Sequence, residues 1–369
     1  MHINGLSEIL NQYFNFHKAR SDCFAQLVIA MITVKTVNFT HLATAFITES
    51  LPQSCYKRIQ RFFRFLQFDP FAVASMVIML FDLKNKKLSL ALDRTNWKFG
   101  KLNINILMLT VAHRGIALPL MWRCLNKGGS SNTSERIDLI KRILLLIGSE
   151  NITCLLGDRE FIGAEWIKWL DEQNISFLFR IRNNSLLEGA VPVNLFFGRL
   201  APHKKVKNGK TVLWGSSVYL STRWSYKKDE LVTIISNRKF QSPFKLYRKR
   251  WEIETFFGCL KKRGFCFEDT HLIHISRIET LICVLTIAFC WSHLVGEAKE
   301  EKAPIETKSH GRKAKSIFRY GFDELRGIFL NLRKKIGLFL KWLKLLNVNE
   351  ELLENMGTSQ EASLFFRPS

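Results

Sequence analysis

Residues 87–124 read KLSLALDRTNWKFGKLNINILMLTVAHRGIALPLMWRC. In 87–93, Leu88, Leu90 and Leu92 fall on one face of an extended chain and Ser89, Ala91 and Asp93 on the other. That period-2 alternation is the pattern of a strand. The strand is expected to end at Asp93, ahead of RTNWKFGK. Two further apolar runs, 104–113 and 116–124, are separated only by Arg114-Gly115, the spacing of a tight antiparallel hairpin. The stretch therefore predicts three consecutive strands with an aspartate closing the first.

Working towards the C-terminus, 126–131 is a Gly/Ser loop, and 133–147 reads as a helix with Glu135 in its first turn and Gly148 at its end. A fourth strand, 152–156, runs straight into Gly157-Asp158-Arg159-Glu160-Phe161; a helix over 164–173 and a fifth strand over 176–181 follow. The predicted class is α/β, with Asp93 and Asp158 at the C-terminal ends of the first and fourth strands.

Helical periodicity fades over 182–240. Short β-rich runs at 191–197, 211–214, 218–221 and 231–236 are divided by Asn208-Gly209 and Gly215, which predicts a small β-rich domain. From Arg180 to Arg250 there are 16 Lys/Arg against three acids (Glu188, Asp229, Glu230), interleaved with Trp214, Trp224 and Tyr226. Aromatics among bases suit gripping a nucleic-acid backbone and stacking a base.

Residues 247–261, YRKRWEIETFFGCLK, follow. On one continuous helix, Tyr247, Arg250, Glu254 and Lys261 share an arc of about 60° while Glu252 points elsewhere. An acid, two bases and a phenol then lie on one stripe, which is either an ion-paired surface or part of a site. Beyond it, the apolar run 281–291 is shorter than the ~20 residues a spanning helix needs and reads as a buried core helix. A charged linker is expected at 297–316, amphipathic basic helix at 317–346, and a frayed tail after Gly357.

Towards the N-terminus, residues 1–80 read as helical. In 55–66, CYKRIQRFFRFL, helical spacing puts Lys57, Arg58, Arg61 and Arg64 opposite Ile59, Phe62, Phe63 and Leu66. Such a basic face fits a DNA groove or, equally, solvent.

The totals agree with a nucleic-acid enzyme. A chain of 369 residues supports two or three domains, and 47% hydrophobic content excludes a disordered one. A net charge of +23 predicts a polyanionic partner. Eight cysteines without a CxxC pair suit reduced thiols in the cytoplasm, and Cys259, Cys266, His271 and His274 have poor spacing for zinc. No secretory signal is read at residues 1–5, and no membrane role is expected.

Isolated acids at strand ends inside a basic chain suit phosphodiester chemistry, where two Mg²⁺ ions held by carboxylates neutralise phosphoryl oxygens. At this point Tyr247-x2-Arg250-x3-Glu254-x6-Lys261 resembles the YREK motif of bacterial insertion-sequence transposases of the IS-four family, and LALDRTNWKFG and LLGDREFIG resemble that family's two aspartate motifs. The resemblance spans roughly residues 85–295 by fold order and motifs together. It implies an RNase H-like core interrupted by a β-rich insertion domain, with helical N- and C-terminal regions. The implied domains are 1–80 for binding DNA ends, 85–181 and 244–296 for the core, 182–243 for the insertion, and 297–369 for a linker and helices that dimerise or touch DNA.

The resemblance further implies that Asp93, Asp158 and Glu254 are the catalytic acids and hold two Mg²⁺ ions, with Mn²⁺ as a substitute. Tyr247, Arg250 and Lys261 would grip phosphates rather than pair with Glu254. Trp224, or Trp214, would stack a flipped base during hairpin formation. Lys57, Arg58, Arg61 and Arg64 would contact terminal inverted repeats. The implied partners are double-stranded DNA, both element ends and target, and a second copy of the chain, in the cytoplasm of a bacterium. The competing readings are an RNase H-like endonuclease that cuts without joining and an inactive DNA-binding derivative.

Overall fold

The computed structural model describes residues 3–187, 191–196, 207–225 and 230–347. Five helices open the chain: α1 (Asn4–Phe14), α2 (Lys18–Val34), α3 (Phe39–Thr44), α4 (Pro52–Phe65) and α5 (Pro70–Leu80). Then come β1 (Leu88–Phe99), β2 (Leu102–His113), β3 (Ile116–Cys124), α6 (Thr133–Ile147), β4 (Ile152–Gly157), α7 (Ala164–Glu172) and β5 (Phe177–Arg180). The order of three strands, helix, strand, helix, strand is the one the sequence predicts. After it come β6 (Leu186–Leu187), β7 (Val191–Pro192), α8 (Val193–Phe196), β8 (Lys207–Leu213), β9 (Ser216–Ser225) and β10 (Glu230–Ser236). The chain closes with α9 (Pro243–Tyr247), α10 (Trp251–Leu260), α11 (Ile275–Lys302), α12 (Ile317–Phe329) and α13 (Ile336–Leu343).

These elements divide into two compact units. Residues 85–98 and 103–256 form one; 3–84, 99–102 and 257–347 form the other.

The first unit is built on an eight-stranded sheet of order β3-β2-β1-β4-β5-β10-β9-β8. Its centre is parallel: β4 pairs with β1 on one side and β5 on the other. The interior strands β2, β4 and β5 are buried along nearly their whole length, which is why they read as near-continuous apolar runs. α6 begins at a capping box in which Asn132 and Glu135 satisfy each other's backbone N–H groups.

Three expectations are corrected in this unit. β1 does not stop at Asp93 but runs on to Phe99; only its pairing with β4 stops there. The strands expected to form a separate β-rich body extend the main sheet instead, because β10 pairs antiparallel with β5 (Ile235 opposite Phe179) and carries β9 and β8 with it. The run from Val191 is a two-residue strand followed by a helical turn rather than one strand.

The second unit is helical. α11 is 28 residues long, and its most apolar 18-residue window is 89% buried. Its length alone would let it cross a bilayer, but α12, α2 and α5 pack against it within this unit. α11 and α12 approach closely at Gly296 and Gly321, where a Cβ on Gly321 would lie 2.0 Å from the Ser292 carbonyl oxygen. Trp291 Nε1 donates to the Trp342 carbonyl (3.0 Å), and Arg326 Nε donates to the Thr33 carbonyl (2.9 Å), tying α13 and α12 to the rest. α11 runs to Lys302, so the first part of the predicted linker is helix. All eight cysteines are free thiols. Among the described residues, Cys259, Cys266, His271 and His274 form no metal-ligand cluster. Tyr226, part of the predicted basic β-rich insertion, and the tail from residue 348 lie outside the described residues.

Candidate active site and basic groove

The parallel pairing of β1 with β4 ends at Leu92 opposite Gly157. The next residue on each strand is an aspartate: Asp93 and Asp158. Neighbouring strands lie about 4.8 Å apart, so the two aspartates stand side by side where the pairing ends, close enough for the Asp158 charge to act on Asp93. Glycine at 157 suits a tight space, since a Cβ there would lie 3.0 Å from Phe161 Cβ and 3.0 Å from the Phe179 ring and would need one of them to give.

Glu254 is brought to this pair by Arg250. One guanidinium nitrogen lies 3.2 Å from Asp93 Oδ2 and the other 2.7 Å from Glu254 Oε1. Arg250 is only 5% exposed. Tyr247, also buried, donates its hydroxyl to the Gly157 carbonyl at 3.2 Å and so fixes this segment to the end of β4.

The segment is not one continuous helix: a 3₁₀ turn over Arg248–Arg250 separates α9 from α10. The turn follows directly on the anchored Tyr247 and ends on the anchored Arg250.

Without DNA, each of the three expected phosphate contacts has a partner within the protein. Tyr247 is a buried pin and Arg250 a bridge between acids, including an ion pair with Glu254 that the sequence reading had set aside. Lys261 lies past the end of α10 and pairs with Glu268 at 2.7 Å. Burial of a cation or phenol demands a partner, and each found one inside the protein. Glu252 is uninvolved: its burial raises its pKa, and its carboxyl takes hydrogen bonds from the backbone at His113 and Gly115.

Asp93 is the acid whose surroundings perturb it most. Burial pushes the Asp93 carboxyl up to about 6; Arg250 and the Arg94 backbone N–H pull it down, and Glu160 and Asp158 add to the rise. Tyr247 is raised well above the usual phenol range by burial.

Two features beside the acids were missed from sequence. The first is a part-buried network. Arg94 donates from Nε and Nη2 to both oxygens of Glu160 at 2.6 and 2.7 Å, and from Nη1 to Asn105 Oδ1 at 2.8 Å. Arg136, on α6, donates to the Glu160 carbonyl at 2.8 Å and lies over the Phe161 ring. The second is Trp251, which is 50% exposed with the Arg250 guanidinium carbon 5.0 Å from its ring centroid. Of the tryptophans singled out, Trp224 is half-buried in β9 opposite Leu231, and Trp214 sits at the β8–β9 turn with φ +49°.

The helical unit carries a groove of ≈790 Å³ between α3, α4 and the start of α11. Lys57, Arg61, Arg64 and Arg277 line it with Phe39 and Tyr56, and no Asp or Glu does. Among the described residues none of those four cations has a carboxylate partner. Phe39 stacks on Phe63 (centroids 4.9 Å) and fixes the wall. Arg58 is not in the lining; its guanidinium reaches the Ala19 carbonyl at 3.4 Å.

Comparison with known families finds one whose description is a transposase DDE domain, matching residues 90–291. That span covers more than half of the chain and contains Asp93, Asp158 and Glu254. No curated protein matches.

Proposed function

Because this chain belongs to the transposase DDE domain family, and is thereby a DNA-processing enzyme, we propose that Asp93, Asp158 and Glu254 are its catalytic acids. The observation that carries this reading is their convergence. Two aspartates follow the last rung between parallel strands, and one guanidinium joins Asp93 to Glu254.

The donor set fits divalent cations. All three groups offer hard carboxylate oxygens, and Asp93 is already strained towards neutrality by burial and by neighbouring acids. Asp93, Asp158 and Glu254 would hold two Mg²⁺ ions, which when bound supply charge neutralisation at the reacting phosphate. The chain's own residues do the rest. Arg250 orients two of the carboxylates, Tyr247 holds the glutamate's segment to β4, and Trp251 presents an exposed face suited to base stacking.

The reaction we assign is cleavage at the element's end by water, in-line attack by the freed 3′-hydroxyl on the opposite strand to form a hairpin, reopening of that hairpin by a second water to free the 3′-hydroxyl again, and its in-line attack on target DNA. The YREK spacing supports placing the chain in the IS-four branch. The cation-lined groove of the helical unit supports a role in holding terminal inverted repeats: Lys57, Arg61 and Arg64 follow one another by four and three residues, a stripe roughly 10 Å long on one helix. Synapsis of two ends calls for a homodimer.

The test is incubation of the purified protein with Mg²⁺, linear DNA carrying the element's own terminal repeats, and a supercoiled target. Joined products support the proposal. Cleavage without joining would make the enzyme a nuclease, and binding alone would make it an inactive derivative.

A further inference from the structure

We propose that the Arg94–Glu160 pair is a positioning rung that sets the separation of the Asp93 and Asp158 carboxylates. The inference rests on the reading of those aspartates as divalent-metal ligands.

The argument begins where the sheet stops helping. Backbone pairing between β1 and β4 ends at Leu92 and Gly157, immediately before the two acids. Two like charges on adjacent strands repel, and no further ladder bond between β1 and β4 resists them. Arg94 follows one acid directly; Glu160 follows the other by two residues. Their bidentate contact at 2.6 and 2.7 Å is the next connection across the gap. Fork-on-carboxylate geometry fixes orientation as well as distance.

Each half of the rung is anchored from behind. The third Arg94 contact is Asn105 Oδ1, and Asn105, 2% exposed, donates in turn to the Lys127 and Gly129 carbonyls at 2.9 Å each. The Glu160 backbone is held by Arg136, itself 4% exposed, whose guanidinium also reaches the Ser131 carbonyl (2.5 Å) and the Ile162 carbonyl (3.4 Å). The Arg94 backbone N–H donates to Asp93 Oδ1 at 2.8 Å, so the same residue orients the acid it follows. A pair needed only for stability would not need both partners placed beside the acids and braced from two other elements. Outer-shell partners of this kind tune metal affinity by about 10–100-fold when altered.

The experiment is Mn²⁺ binding to the full-length protein by electron paramagnetic resonance, with end-DNA affinity and thermal midpoint measured on the same samples. Glu160→Gln keeps the shape and removes the charge; Arg94→Lys keeps the charge and removes the fork, and decides the matter if the first variant fails to fold. Both are expected to weaken Mn²⁺ binding about tenfold or more and to lower kcat without raising KM for end DNA. End-DNA affinity should stay at the native value. Folded variants that bind Mn²⁺ within about twofold of native would overturn the rung, since the expected change is ~10-fold. Asp93→Ala separates the two levels. If it loses Mn²⁺ while both rung variants keep it, the rung alone is wrong. If it too binds like native, the metal-ligand reading fails and the rung falls with it.

Discussion

Leu92 and Gly157 form the last rung between β1 and β4, and an aspartate follows each of them. The placement of Asp93 against Asp158 is therefore a consequence of sheet register. Any change that shifts the register shifts the acids.

Gly157→Ala tests that dependence. The added methyl would press on Phe161 and Phe179, both buried, at contacts of 3.0 Å. Overpacking of this kind costs about 1–3 kcal/mol. Urea denaturation should show the loss, and DNA cleavage should fall further than the stability change explains, because Asp158 moves with the strand end.

Asp93 gives a pH signature. Its carboxyl is raised to about 6 by burial foremost, against an unfolded value near ~3.9. The folded state therefore binds the proton more tightly than the unfolded chain. This group's contribution to stability is greatest below pH ~4, falls as pH rises towards about 6, and is level above that. Subtracting the Asp93→Asn variant isolates it: relative to wild type, the variant should gain on the order of 2 kcal/mol between pH 4 and pH 7 in the metal-free protein. A difference that is flat with pH would contradict the burial argument.

Arg250→Met removes the bridge between Asp93 and Glu254. The bridge is only part-buried, with the Glu254 side chain 42% exposed, so its loss should cost about 1–3 kcal/mol rather than the full penalty of a buried pair, and the cost should shrink at low pH as the acids protonate. Titration of the Asp93 carboxyl by ¹³C NMR should move above about 6, since Arg250 is the largest influence holding it down.

In the groove, Arg61→Ala and Arg64→Ala should each reduce the dependence of DNA affinity on salt by about one counterion, whereas Arg58→Ala, outside the lining, should leave the slope unchanged. Equal effects from all three would mean that general charge, not the groove, binds DNA.

Much of the core was legible because its signals are local. Alternation in 87–93, the Arg114-Gly115 turn, and Glu135 and Gly148 at the two ends of α6 each depend on neighbours a few residues away, and α6 falls on its expected bounds. What was not legible depends on distant partners. The joining of β10 to β5 is a choice between an independent sheet and an extended one, which short-range pattern does not encode. The pairing of Arg94 with Glu160 spans 66 positions. The 3₁₀ turn at Arg248–Arg250 follows one side chain anchored elsewhere in the unit, Tyr247, and ends on another, Arg250, while RKR by itself continues a helix. Candidate acids could thus be named from sequence, but the employment of Tyr247, Arg250 and Lys261 inside the protein could not.

The central claim is that Asp93, Asp158 and Glu254 form one catalytic centre. Single-turnover cleavage of end DNA at saturating Mg²⁺, with binding measured in parallel, tests it most directly through the three alanine variants taken one at a time. Loss of several kcal/mol of charge stabilisation predicts that each variant cleaves roughly a thousandfold more slowly or worse while still binding the end. Cleavage near the native rate by any one of the three would contradict it.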